Sequence, residues 1–296
     1  MAPVPPPATY TAIASLVGIE TLQTASSGTR FGTSAGQTNA LSSHPLAAFG
    51  TGITLGFDTV GRTYTPSGNG LTETFGPVDV DVPDTSLLVA SYVKRANAGQ
   101  LTTRLNVETP NAGTVAAAYV RTVEWFNIGD PQGPRTYFMV AGVPTIASDM
   151  PVSGTATFGN TKVGGMAYVA TAPTTTTISG LSLTPSFANC ALDTTTGRIP
   201  VQVNLRGRVS STSPELFIAN FVGSGTLVAG TNRYSGSFTQ LGGGPALSGT
   251  FQGAFFGPQA AECGLAYTIG GTMNGSPAVV NGTMAGTRAP NPQLLP

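Results

Sequence analysis

Residues 249–256 place large and small side chains at alternate positions, a pattern typical of a β-strand with one crowded face. Phe251, Gly253 and Phe255 occupy every second position, so a strand would carry them on the same side. A Gly-Pro pair then stops the pattern, residues 258–262 suit one helical turn, and residues 263–267 have strand character again. Helical periodicity is nearly absent elsewhere, so we predict an all-β protein.

About nine strand-like segments follow residue 153, and short turns rich in Gly, Ser and Thr separate them. They are residues 155–158, 165–170, 178–187, 199–209, 216–222, 234–240, 249–256, 264–269 and 279–285. This number of sequential strands suffices to close an eight-stranded antiparallel up-and-down β-barrel. Closure would also remove exposed strand edges, which these charge-poor segments could not otherwise protect.

The first half of the chain has fewer strand-like runs and longer connections. The runs are residues 53–57, 86–94, 101–107, 119–126 and 135–141. Residues 24–43 are rich in Gly, Ser and Thr, and we interpret them as one of several long loops. The sequence pattern changes near residues 142–145, beyond which strand-like segments with few charges follow one another. We therefore expect an N-terminal domain of a few strands with long loops over residues 10–150 and the barrel over residues 151–289.

Composition and charge exclude several classes of protein. The chain has 39 Gly and 23 Pro in 296 residues, but 40% of its residues are hydrophobic, which argues against a disordered protein. Only 9% of the residues are charged and the net charge is zero, so there is no basic surface for nucleic acid. No run of 18 or more apolar residues occurs, which predicts that the chain has no transmembrane segment.

The termini and the two cysteines suggest an exported protein. Residues 1–9 have the composition of a stiff Pro-rich linker and residues 290–296 that of a tail. We expect that an export signal or lipid-anchor segment precedes this linker in the natural precursor. Cys190 and Cys263 suit one disulfide in an oxidising compartment, the alternative being two buried free thiols. Two cysteines and a single histidine do not make a zinc site.

Residues 249–264 resemble the barrel signature of the transferrin-binding protein B family of bacterial surface lipoproteins, G-x-F-x-G-x-F-[YF]-G-P-[NQ]-A-x-E-x-G-G. The matching residues are Gly249, Phe251, Gly253, Phe255, Phe256, Gly257, Pro258, Gln259, Ala260, Glu262 and Gly264. Leu265 replaces the second glycine of the final pair, and Cys263 stands where an apolar residue is usual. A second stretch, residues 137–160, is similar to the link from handle domain to barrel in shorter, single-lobe relatives.

The resemblance implies one lobe, with a handle domain of a few strands followed by an eight-stranded barrel. Members of the family bind transferrin, haemoglobin or haem at the surface of Gram-negative bacteria and pass iron or haem to a TonB-dependent outer-membrane receptor. We therefore expect a non-catalytic binding protein, lipid-anchored at the outer-membrane surface or secreted. Haem, a haem protein or another small solute would be its ligand. A structural surface-layer or adhesive protein is the alternative, since low charge and a Pro-rich stem suit it equally.

Three residues are candidates for ligand binding. His44, the single histidine of the chain, is expected in a long loop of the handle and could ligate haem iron through a neutral imidazole, the alternative being an ordinary loop histidine. Tyr64 could supply a phenolate ligand while Arg62 pairs with a haem propionate, the alternative being a strand residue beside a turn.

Residues 32–36 read Gly-Thr-Ser-Ala-Gly and match the G-x-S-x-G nucleophile elbow, which would make Ser34 a hydrolase nucleophile. That motif requires a preceding strand, a following helix and a triad histidine. The sequence predicts no helix after Ser34 and offers only His44 as the histidine. A serine hydrolase is therefore a third alternative, and we predict that no residue is catalytic.

Overall fold

The computed structural model describes residues 9–34, 37–82, 88–96, 99–112, 115–128, 133–170, 178–184, 188–242, 246–273 and 275–289. Strands form two large antiparallel sheets, one open and one closed on itself. The helical elements within the described ranges are 3-10 turns of three residues. The all-β prediction, with a handle followed by a barrel, is confirmed. No helix in these ranges is long and apolar enough to cross a membrane.

The first sheet, called the handle sheet here, has ten strands in the order β5-β4-β3-β1-β12-β11-β8-β7-β6, with β2 paired to β1. The strands are β1 Ile19–Ser34, β2 Gln37–Ala47, β3 Thr54–Asp58, β4 Thr63–Gly68, β5 Leu71–Thr72, β6 Val80–Val82, β7 Val89–Arg95, β8 Leu101–Glu108, β11 Val120–Asn127 and β12 Arg135–Gly142. Two short strands, β9 Asn111–Ala112 and β10 Val115–Ala116, form a separate ribbon.

The interpretation of residues 24–43 as a long loop was wrong, because β1 and β2 cover most of them. β1 pairs with β12 on one side and with β2 and β3 on the other, so its backbone is satisfied by neighbours. Small residues allow close packing here: a Cβ on Gly28 would lie 2.7 Å from Cδ1 of Tyr137. The handle sheet therefore has more strands than the few that the sequence predicted.

The second sheet closes into a barrel because its first strand pairs with its last. Its strands are β13 Thr155–Ala170, β14 Ile178–Thr184, β15 Ala188–Asp193, β16 Arg198–Arg208, β17 Leu216–Leu227, β18 Arg233–Leu241, β19 Ala246–Phe256, β20 Glu262–Met273 and β21 Ser276–Arg288. β14 and β15 both lie between β13 and β16. β14 pairs with the C-terminal parts of these two strands, and β15 pairs with their N-terminal parts. Nine strands therefore fill eight positions around the ring.

Aromatic rings fill the interior of the barrel, as the alternation in residues 249–256 indicates. Phe251 and Phe255 are fully buried there. The ring of Tyr234 lies 4.9 Å from that of Phe255. Gly253, the strand partner of Tyr234, leaves room for this ring, since a Cβ at Gly253 would lie 2.6 Å from Cζ of Tyr234. Glycine is therefore needed at position 253, because the ring of Tyr234 from strand β18 lies across strand β19 at this point.

A shared apolar cluster joins the handle sheet to the barrel. Phe256 faces out of the barrel and packs edge-on against Phe49, with ring centroids 5.5 Å apart. Polar contacts add to this boundary, as Nδ2 of Asn281 donates to the carbonyl of Gly28 at 3.1 Å. The predicted boundaries of linker, handle, barrel and tail stay predictions. Residues 1–8 and 290–296 lie outside the described ranges.

Cys190 and Cys263 are both free thiols in the structure, and both are buried in the barrel interior. Their side chains interact with each other and with the phenol of Tyr234. Burial raises the pKa of the Cys263 thiol well above its ordinary value, so this thiol is protonated at neutral pH. The predicted disulfide between the two cysteines stays a prediction.

Candidate functional site

Arg62 and Tyr64 lie together at one end of the handle sheet, on the hairpin of β3 and β4. Arg62 is exposed in the turn, with a positive φ of 51°. Tyr64 stacks on Phe57 with ring centroids 4.8 Å apart and meets the edge of Tyr92 at 5.7 Å. Burial raises the pKa of Tyr64 to about 12. Its phenol is therefore protonated at neutral pH, which favours stacking and hydrogen bonding over phenolate ligation of a metal.

A cavity of about 540 Å³ opens beside these two residues. Its walls combine the rings of Phe57, Tyr64 and Tyr92 with the aliphatic side chains of Ile13 and Val107. Ring and aliphatic walls with a few polar groups are typical of small-molecule sites, and so is this volume. The cavity can therefore accept a flat or branched apolar group.

Arg121 adds a second positive charge to this cavity, at a largely buried position. Its Nη1 donates to the carbonyls of Ala117 at 2.9 Å and Val120 at 2.7 Å, which holds the guanidinium in place. Burial lowers the pKa of Arg121, and the neighbouring Tyr64 and Glu262 oppose that shift. An arginine remains charged at neutral pH even so. With Arg62, the cavity carries two cations and favours an anionic group on its ligand.

Four exposed aliphatic residues surround the same end of the handle sheet. Val17, Ile19, Val60 and Val78 have exposed fractions of 81%, 81%, 86% and 95%. The first three are neighbours because the N–H of residue 59 donates to the carbonyl of residue 18 at 3.0 Å. The turn that bears Val78 is close as well, since a Cβ on residue 76 would lie 3.4 Å from the side chain of residue 63.

We call these four residues together with Arg62 the handle-end face. Exposed apolar residues gathered at one end of a protein can form an interaction site. Arg62 and Tyr64 were predicted from the sequence as binding residues, whereas Arg121 and the four aliphatic residues were not. No local pattern could have found them, because the turns that carry them meet only in the fold.

His44 lies away from this cavity. It belongs to β2, where it pairs with Gly28 of β1, so the prediction that it sits in a loop was wrong. Tyr64 pairs with Phe57, which in turn pairs with Glu20 of β1. Eight residues along β1 separate those two positions, roughly 26 Å at the usual strand rise. Haem ligation by His44 stays a prediction, and it concerns a different place from the cavity.

The surroundings of Ser34 do not match a nucleophile elbow. Ser34 ends β1, and the next described element is the strand Gln37–Ala47, where the motif requires a helix. Ala35 and Gly36 of the motif lie outside the described ranges. A strand follows Ser34 where the motif requires a strand-to-helix turn, so the structure gives no support to the hydrolase alternative.

The segment that follows barrel strand β19 connects the barrel to the handle sheet. Gly257 has a φ of 69°, and the 3-10 turn Pro258–Ala260 follows it. Glu262 begins β20, so the prediction that it lies in the helical turn was wrong. Its carboxylate accepts the backbone N–H groups of Ala118 at 2.6 Å and Tyr119 at 2.9 Å. This motif residue thus has a structural role, beside the cavity that contains Arg121.

No protein-family model matches the sequence. No curated protein matches it either. Among solved structures, a mutant of transferrin-binding protein B from Haemophilus parasuis is 12% identical at a TM-score of 0.44, covering 96% of this chain and 77% of that chain. HpuA from Kingella denitrificans, solved in complex with human haemoglobin, is 13% identical at a TM-score of 0.41, and the match covers 96% of this chain and 90% of that chain.

Transferrin-binding protein B from serogroup B Neisseria meningitidis is 10% identical at a TM-score of 0.36, covering 92% of this chain and 77% of that chain.

Proposed function

We propose that this chain is an exported, non-catalytic binding protein of a Gram-negative cell surface. It captures an iron source, either haem or a haem- or iron-carrying protein, for a TonB-dependent outer-membrane receptor. The barrel signature in residues 249–264 supports the choice of this class. The observation that carries the proposal is the cavity with Arg62, Tyr64 and Arg121, which opens at the handle-end face.

The residues of this cavity suit a flat apolar ligand with carboxylates. Haem has that chemistry: its ring would pack against Phe57, Tyr64 and Tyr92, and its propionates would pair with Arg62 and Arg121. Because the phenol of Tyr64 is protonated, the cavity would hold the ring by stacking and ion pairing rather than through an anionic iron ligand.

The handle-end face suits a protein partner as well. Val17, Ile19, Val60 and Val78 offer apolar area at the rim, while the cavity beside them would accept one inserted side chain. An acidic or aromatic side chain of the partner would meet the two cations and the tyrosine rings. The barrel would act as the rigid support that holds these turns in place.

A visible absorption titration with haemin tests the haem form of the proposal. We expect a Soret band that saturates at one equivalent, with affinity lowered about tenfold in Arg62→Ala because one charge-assisted pair is lost. Arg198→Ala is the matched control, since Arg198 is an exposed arginine on barrel strand β16. His44→Ala should bind as the wild type does. A band lost in His44→Ala and kept in Arg62→Ala would place the haem elsewhere and contradict the proposal.

The protein-partner form is tested by surface binding of haemoglobin and of transferrin to the immobilised chain. Val60→Asp and Val78→Asp put a charge on the handle-end face without touching a buried residue. We expect each to weaken binding of the true partner at least tenfold, while Val152→Asp, an exposed valine outside this face, leaves it unchanged. If haemin, haemoglobin and transferrin all fail to bind, the capture proposal is wrong and the structural surface-protein alternative takes its place.

A further inference from the structure

A second cleft lies between the handle sheet and the barrel, away from the cavity at the handle end. It has a volume of about 450 Å³. β8 and β11 of the handle sheet form one wall, and β13 and β14 of the barrel form the other. The volume is within the range of small-molecule sites, and sites of this kind occur preferentially where two structural units meet.

The handle wall of this cleft carries a ladder of charged and polar side chains. Arg104, Asn106 and Glu108 are alternate residues of β8, and Thr122 and Glu124 are alternate residues of β11. Cross-strand pairing places Glu108 opposite Thr122 and Asn106 opposite Glu124. One face of two adjacent strands therefore gathers all five polar groups at the cleft.

Two ion pairs make this cleft electrically neutral. Nη2 of Arg104 lies 2.7 Å from Oε1 of Glu124 within the handle wall. Nζ of Lys162, on barrel strand β13, lies 2.6 Å from Oε2 of Glu108 and crosses the cleft. These four are the charged residues among the described residues that line it. An ion of either sign would meet an equal number of like and opposite charges.

Two buried polar atoms on the same wall have no hydrogen-bond partner among the described residues. They are the hydroxyl of Thr122, which is 5% exposed, and Nε of Arg104. A buried donor without an acceptor costs roughly 1–3 kcal/mol, so such atoms need an explanation when they line a cleft. Both can donate, which indicates that an acceptor oxygen belongs beside them.

Apart from three polar side chains, the barrel wall of the cleft is apolar. Met166 and Leu183 line it, and Phe138 of the handle sheet lies buried between the two walls. Gly164 and Gly165 add no side chains, which leaves the backbone of β13 open to the cleft. A ligand would therefore meet ion pairs on one side and a thioether, a leucine and an aromatic ring on the other.

We propose that this cleft binds a small zwitterion of the amino-acid type with an apolar side chain. The carboxylate would accept from Thr122 and from Nε of Arg104. The ammonium group would face Glu124 and Glu108, and the side chain would pack on Met166 and Leu183. A zwitterion satisfies both unpaired donors without adding net charge to a neutral site. This site is independent of the proposed capture function, because it shares no residue with the handle-end cavity.

Isothermal titration of the full chain with a matched set of ligands tests the proposal. L-leucine and L-methionine are zwitterions, N-acetyl-leucine is the anion of the same shape, and leucinamide is the cation. We expect leucine or methionine to bind, and the two singly charged analogues to bind at least tenfold more weakly. No binding of either zwitterion at concentrations up to about 10 mM would overturn the proposal and leave the two donors hydrated only. Equal binding of all four ligands would overturn it too.

Two variants separate a ligand site from a structural polar cluster. Thr122→Val removes the hydroxyl but keeps the shape, and should weaken zwitterion binding about three- to tenfold without lowering the melting temperature. Thr250→Val, at an exposed position on barrel strand β19, is the matched control. Glu124→Gln makes the cleft net positive and should shift the preference from leucine toward N-acetyl-leucine. Unchanged affinity in Thr122→Val, or unchanged preference in Glu124→Gln, would contradict the proposal.

Discussion

The carboxylate of Glu262, at the start of barrel strand β20, accepts the backbone N–H of Tyr119 at 2.9 Å across the boundary between the two sheets. Its other oxygen accepts the N–H of Ala118 at 2.6 Å. Tyr119 in turn lies against Gly257, the residue where the barrel motif leaves its strand. The two sheets are therefore joined at the place where β11 of the handle sheet begins, and the stability of one depends on the other.

Replacing Glu262 by Ala should lower the free energy of unfolding by about 1–3 kcal/mol at pH 7, because both backbone N–H groups lose their acceptor. The measurement is urea denaturation followed by fluorescence of Trp125, which is buried in the handle sheet. Glu20→Ala is the matched control, since Glu20 is an exposed acid of β1 and its replacement should change the free energy little. Equal effects of the two substitutions would show that the Glu262 contacts contribute nothing.

The same carboxyl should make stability depend on pH. Burial raises the pKa of Glu262 from 4.5, against the opposing effect of its backbone hydrogen bonds. The folded state then holds the proton more tightly than the unfolded state. The stability that the raised pKa of Glu262 contributes is fully present below about pH 4.5 and is lost as the pH rises through the folded pKa.

The difference in stability between the wild type and Glu262→Ala should therefore shrink as the pH rises from 4 to 7. Urea denaturation of both proteins across this range measures it. A difference that grows with pH would mean that the folded pKa of Glu262 is lowered, contrary to the effect of burial.

Gly257→Ala should destabilise the protein by about 2–4 kcal/mol for two reasons. The backbone conformation at this position favours glycine, and an added Cβ would clash with a neighbouring side chain. The φ of Gly257 is 69°, and a Cβ would lie 2.3 Å from Cδ2 of Tyr119. Gly154 offers a control with a similar φ of 86° but no atom within 4 Å of the added Cβ. Thermal unfolding of Gly154→Ala should show only the backbone cost of about 1 kcal/mol. A loss in Gly257→Ala no larger than in the control would rule out the collision.

The predicted disulfide between Cys190 and Cys263 can be checked by counting thiols. Protein exported to an oxidising compartment, unfolded without reductant, should show no reactive thiol, and after reduction it should show both. In the folded reduced protein both residues are buried, and a protonated thiol is a poor nucleophile, so reaction with a thiol reagent should be slow. Two reactive thiols in the unreduced, unfolded protein would establish the free-thiol alternative.

Most strands of the barrel and five of the ten strands of the handle sheet could be predicted from the sequence, because side-chain alternation is a local property of a strand. The fold class followed from the same pattern. β1 and β2 escaped prediction because their small polar residues show no such alternation, and their stability comes from pairing with strands far along the chain. The strand Ala188–Asp193 escaped as well, because it continues the position of β14 after a break.

The binding features divide in the same way. Arg62 and Tyr64 could be identified as neighbours in the sequence, two residues apart on one hairpin. Arg121, the exposed valines and the cleft between Glu108 and Lys162 depend on segments separated by tens of residues. Such neighbours are chosen by sheet order and by the packing of one sheet on the other, which no local pattern encodes. Local periodicity therefore determines the all-β fold class of this protein, and the long-range pairing of strands decides where its binding surfaces and cavities lie.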